Sequence, residues 1–186
     1  MKKVILILLL GFSLNMFSQE EERVKHHEIK LNAFNLIVFK TIEGSYEYLL
    51  NSESSIGLSV LSNLQDSKTD FFKDGPAYEE QLAITPYFRY FFSGRYASGF
   101  FMEAFGMYNI QEDYDEVYDD VGDFLYGERN KSYNMAFGMA MGGKFASRKG
   151  FVFEFYGGAG RNLSVSNEDV GTDIVPRLGI SLGYRF

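Results

Sequence analysis

The sequence has no cysteine, no tryptophan, only 3 prolines and only 2 histidines in 186 residues. Without cysteine there is no disulfide scaffold, no thiol nucleophile, no thiolate zinc site and no lipid-modified amino-terminal cysteine. Positive charge is also scarce. Against 25 Asp and Glu stand 18 Lys and Arg, giving a formal charge of −7 and a pI near 4.9. Nucleic-acid phosphates would be repelled by such a surface, so no nucleic-acid partner is expected. Beyond residue 28 there is no long apolar run and little helical periodicity. What the chain has in quantity is aromatic side chains, 13 Tyr and 19 Phe, too many for a disordered polymer, in a length that suits one domain.

The single long apolar run lies at the start. Lys2 and Lys3 precede apolar residues 4–10, and the run continues through Gly11, Phe12 and Leu14 before yielding to Asn15, Met16, Phe17 and Ser18. This pattern predicts a cleavable signal peptide over residues 1–18, because a membrane-spanning helix needs about 20 apolar residues. Removing 18 residues would leave a 168-residue domain, 19–186, and the loss of two lysines would take its charge to −9. Residues 20–27 are a polar lead-in.

The remainder alternates with a period of two, the signature of strands. At the carboxyl end Pro176, Leu178, Ile180, Leu182, Tyr184 and Phe186 share one face, and Arg177, Gly179, Ser181, Gly183 and Arg185 the other. Residues 132–146 repeat this, with Tyr133, Met135, Phe137, Met139, Met141 and Phe145 opposite Gly, Ala, Asn and Lys144. Similar segments at 41–48, 82–92, 100–109 and 151–159 carry their charges on the face that holds the small residues. A soluble barrel with an apolar interior would need charge on its outer face. The observed division instead fits small and charged residues facing a narrow lumen, and aromatics facing lipid.

Eight strands are expected, over 28–38, 41–50, 55–64, 81–92, 99–110, 132–146, 151–162 and 174–186: an all-β, eight-stranded, antiparallel up-and-down transmembrane β-barrel. Most reach the roughly 9 to 11 residues that a tilted spanning strand needs. The links at 51–54, 93–98 and 147–150 are short, and those at 65–80, 111–131 and 163–173 are long, as for short periplasmic turns and long external loops. The link near Lys40 is an exception, being tight, and Pro86 is expected to mark a bulge because proline cannot donate to a ladder. An even strand count puts both termini in the periplasm.

With these residues on the page the chain resembles small outer-membrane β-barrels of the OmpA transmembrane-domain and OmpX kind, and short barrels of the Bacteroidota type. The likeness rests on pattern across nearly the whole of 19–186. Its most specific element is the last strand, where Phe186 and Tyr184 match the signal by which such proteins address the barrel-assembly machinery. The resemblance implies an outer-membrane location with lipid as the surrounding partner, and the barrel is expected to be a monomer.

Glu47, Arg89, Glu103, Lys144, Glu154, Arg177 and Arg185 are the expected lumen charges. A hairpin loop through Arg148, Lys149 and Gly150, with Gly150 left-handed, would set Lys144 opposite Glu154, and Arg89 can face Glu103 across the 93–98 turn. Buried charges persist when paired, so the favoured reading is a salt-bridged plug; the other is a small channel or solute conduit whose pairs open.

The segment with Glu112, Asp113, Asp115, Glu116, Asp119, Asp120, Asp123 and Glu128, interleaved with Tyr114, Tyr118, Phe124 and Tyr126, could hold Ca²⁺, yet it matches no EF-hand and reads as a solvated surface. Its tyrosines suit a surface partner or glycan. No catalytic residue, metal site or cofactor is assigned. His26 and His27 precede the first strand, away from any external-rim triad, and a Glu43–Glu47 carboxylate pair is better explained as lumen charge. The expected role is structural or adhesive. A soluble lipocalin-like carrier of an apolar ligand is the remaining alternative.

Overall fold

The computed structural model describes residues 25–63, 80–118, 124–165 and 174–186. The expected signal peptide lies outside them, as do Asp119, Asp120 and Asp123 of the acidic segment.

Eight strands, β1 (His27–Asn32), β2 (Thr41–Leu49), β3 (Ser54–Asn63), β4 (Glu80–Phe91), β5 (Gly99–Tyr118), β6 (Phe124–Ala146), β7 (Phe151–Val165) and β8 (Ile174–Arg185), form a closed barrel. Each is antiparallel to the next, and β8 returns to β1 with Arg185 opposite Glu28 and Ser181 opposite Asn32. Closure leaves no sheet edge along the paired spans. The period-two alternation becomes an inside and an outside. Phe137, Phe151, Phe153, Leu182 and Tyr184 are exposed on the outer wall, while Glu47, Arg89, Glu103, Lys144 and Glu154 are buried within. The nine residues of β2 extend about 31 Å, which at a tilt of about 40° covers about 23 Å of height, close to the apolar band of a membrane barrel.

Four expectations need correction. The first strand does not run to 38: it stops at Asn32, and a π-helical turn occupies Asn35–Phe39, closed by Lys40 in the left-handed region at φ 53°. The cause is local side-chain bonding that competes with the ladder. Asn35 N–H donates to Asn32 Oδ1 at 3.2 Å and Asn35 Nδ2 donates to Glu43 at 2.7 Å, which buries the Asn35 side chain while Leu36, Ile37 and Val38 stay exposed. Consequently the link near Lys40 is not tight.

Pro86 marks no bulge. The β4–β5 register is the same at Ile84↔Tyr108 and Tyr87↔Phe105, so it continues unbroken past the proline, and the slip lies between Glu80 and Leu82. The ladder with β5 skips Thr85 and Pro86, while on the other side Pro86 stays in register with Leu58. The 111–131 segment is mostly strand: β5 and β6 remain paired out to Tyr118 and Phe124, with Asp115 opposite Glu128 in the backbone register. The polar sequence there lacks the apolar alternation that marks the other strands.

Two expected pairings are present: Arg89↔Glu103 and Lys144↔Glu154 are directly opposite in register, and Gly150 is left-handed at φ 98°.

Candidate functional site

Reading up the inner face of β5 gives the interior in layers. Phe101 belongs to a floor with Leu49, Phe91, Ala97 and Tyr156; Glu103 belongs to an ionic layer; Phe105 and Met107 join an apolar layer with Leu61, Ala83, Ala136 and Val175; Asn109 and Gln111 enter an amide layer.

The ionic layer is organised by Glu47. Its carboxylate accepts from Lys30, from Lys144 Nζ at 2.6 Å, from Arg89 Nη1 at 2.9 Å and from Ser55 Oγ at 2.5 Å. Glu154 accepts from Lys30 at 2.9 Å and from Arg89 Nη1 at 2.8 Å, and Glu103 from Arg89 Nε at 2.6 Å and Arg177 Nε at 3.1 Å. Arg177 Nη1 extends the chain to Glu43 at 2.7 Å, and Lys144 extends it to Glu28 at 2.8 Å, where Arg185 Nε also donates at 2.7 Å. All seven expected lumen charges therefore lie in one continuous network, although Lys144, opposite Glu154 in the ladder, sends its ammonium to Glu47 and Glu28.

Glu28 and Lys30 join these seven: segment 28–38 alternates irregularly as a whole, yet Glu28, Lys30 and Asn32 alternate with Ile29 and Leu31 as inner residues should. Among the described residues the buried charged groups are five carboxylates, Glu28, Glu43, Glu47, Glu103 and Glu154, and five cations, Lys30, Arg89, Lys144, Arg177 and Arg185. Their formal charges cancel. Glu43 and Glu47 do not form an acid pair, since Glu43 is held by Arg177, Asn32 and Asn35.

Aromatic rings fill the space between the ions. The Arg89 guanidinium lies 4.6 Å from the Tyr87 ring and 4.4 Å from that of Phe101, and Arg177 lies 5.1 Å from the Tyr156 ring. Such cation–π contacts hold flat guanidinium groups in place while their edges bond carboxylates. Both tyrosines lie over a glycine opposite them in register, Tyr87 over Gly57 and Tyr156 over Gly179, where any Cβ would meet the ring.

The short-turn end is closed by the 93–98 turn folding under the barrel, a feature no periodicity announces. Ala97, at φ 38° and fully buried, donates its N–H to Ser52 O at 2.7 Å, and Arg185 donates to Tyr96 O at 3.1 Å and Ala97 O at 2.8 Å. Tyr96 Oη lies 3.0 Å from His26 Nδ1, and burial pushes that phenol above its ordinary value. His27, which opens β1 instead of preceding it, reaches Tyr46 Oη at 2.6 Å and stacks on Phe186. Both histidines are thus packed against the rim and not free polar residues. Tyr184 sits on the outer wall against Phe151, ring centroids 5.9 Å apart.

In the amide layer Asn134 Nδ2 donates to Gln111 Oε1 at 2.9 Å and Asn109 Oδ1 at 3.2 Å, while buried Gln111 Nε2 has no partner. On the outer wall a shallow apolar groove of ≈ 550 Å³ runs over Pro86, Ala104 and Gly106, rimmed by Tyr46, Tyr48, Phe88 and Phe137. Among the described residues no group of three or more His, Asp or Glu is arranged to hold a metal ion. Comparison with family models, with curated proteins and with solved structures returns no match.

Proposed function

We propose that the chain is an outer-membrane barrel with a sealed lumen, exported by its leader, that acts through its surface in a structural or adhesive role. The observation that carries this reading is the conjunction of a charge-balanced ionic interior with an apolar aromatic outer wall. In water that arrangement is inverted; in lipid it satisfies both faces. An eight-stranded lumen is just wide enough for side chains to fill, and here ion pairs, rings and a folded-under turn occupy it. A lipocalin-like carrier is disfavoured by the same interior, which holds ten charged groups where an apolar ligand would need a dry cavity.

The test begins with fractionation of cells making the full chain and electrophoresis with and without boiling. A band in the outer-membrane fraction whose mobility changes on heating is expected; a soluble protein with no shift sinks the reading. Planar-bilayer recordings then separate plug from conduit. The wild type is expected to be silent, whereas steady conductance altered by Glu103→Gln or Arg177→Gln would replace the sealed reading with the channel.

A further inference from the structure

We infer that the short-turn end carries a binding sector for anionic phospholipid headgroups, built on Arg148, Lys149 and Lys25; the inference rests on the membrane reading above and deepens it. Arg148 and Lys149 stand exposed in the turn that left-handed Gly150 closes, with Ser147 N–H donating to Phe151 O at 2.8 Å and Gly150 N–H to Ser147 O at 3.0 Å. Gly150 O in turn accepts from Arg185 N–H at 2.7 Å, so the turn is fixed to the end of β8. Lys25 joins it from the other side, its ammonium 5.6 Å from the centroid of the Tyr184 ring that packs on Phe151. Among the described residues no carboxylate lies within ion-pair distance of any of the three cations.

Directly above this sector the wall is apolar. Phe151 is 63% exposed, and Phe145, Phe153 and Phe155 continue the strip with centroids 6.2 to 6.4 Å apart. Cations ending an aromatic strip match a lipid at both ends: phosphate to ammonium and guanidinium, acyl chain to phenyl rings. Among the described residues the neighbouring turns add one charge of each sign, Arg95 and Glu53. All three cations stand at the short-turn end, so the preference belongs to one end of the barrel, hence to one leaflet.

The full chain is inserted into neutral phosphatidylcholine nanodiscs, alone or with phosphatidylglycerol, and the lipids retained on release are counted by native mass spectrometry. A basic residue near an anionic surface is worth about fivefold in binding, so the wild type is expected to retain phosphatidylglycerol over phosphatidylcholine by about tenfold or more. Arg148→Ser with Lys149→Ser should abolish most of that preference while keeping the heat-modifiable band, and Lys25→Ser should remove a smaller part. Removing two cations from the other end, Lys40→Ser with Lys131→Ser, should leave it intact.

Equal retention of both lipids by the wild type overturns the inference. So does loss of preference in the Lys40 and Lys131 variant, which would make it a matter of net charge, or full competition by millimolar glycerol phosphate, which would make the sector a free-phosphate site. A chain that never enters the neutral discs overturns the membrane reading and this inference together; one that enters without preference overturns this inference alone.

Discussion

The ionic layer and the amide layer occupy the same tube and are solved differently. In the ionic layer each carboxylate meets at least one cation, and Glu47 meets three. In the amide layer Asn109, Gln111, Ser132, Asn134 and Asn162 bond mostly one another, and Gln111 Nε2 goes without a partner. Between them Phe105, Met107 and Val175 form an apolar partition. Charges buried in low dielectric demand complete pairing, because removing one partner strands the others; neutral amides tolerate a missing bond at lower cost. The ionic layer should therefore be brittle and the amide layer forgiving.

The strongest test of that contrast is Glu47→Leu, which would leave Lys30, Lys144 and Arg89 facing one another. A loss of about 3–5 kcal/mol is expected in urea unfolding followed by the heat-modifiable band. A sharper version removes Arg89 and Glu103 singly and together as leucines. Each single change should destabilise, and the double should cost less than the sum, a positive coupling of about 1–3 kcal/mol in the same assay. Next comes Gly179→Ala, which drives a methyl into the Tyr156 ring. About 1–3 kcal/mol of overpacking is expected, with partial relief when Tyr156 is also made Phe. The smallest effect should be Gln111→Leu, within about 1 kcal/mol either way, since the lost bond to Asn134 is offset by removal of an orphan donor. A Gln111→Leu loss as large as that of Glu47→Leu would erase the distinction between the layers.

Period-two alternation was enough to expose the barrel, because a face-by-face division of Phe137, Phe153 and Leu182 from Arg89, Glu103 and Lys144 has few other readings. Register was legible wherever a short turn fixed it, as for Arg89 with Glu103. The long-range partners were not. Nothing local links Glu43 to Arg177 or Glu28 to Arg185, since those pairs exist only once the sheet has closed. The π-helical turn depends on Asn32 and Asn35 bonding sideways, and the folded-under 93–98 turn on Arg185 arriving from the far end of the chain.

Closure of the sheet has a kinetic consequence. β5 and β6 zip through twenty register pairs from one hairpin, whereas β1 and β8 meet through five pairs separated by almost the whole chain. Loop entropy and contact order favour that seam forming last. Until it forms, two strand edges stand open to pairing with other chains. Lys30 and Glu28 on β1 bond Glu154, Arg185 and Lys144 beyond the seam, so the same ions that fill the finished tube would act as its latch.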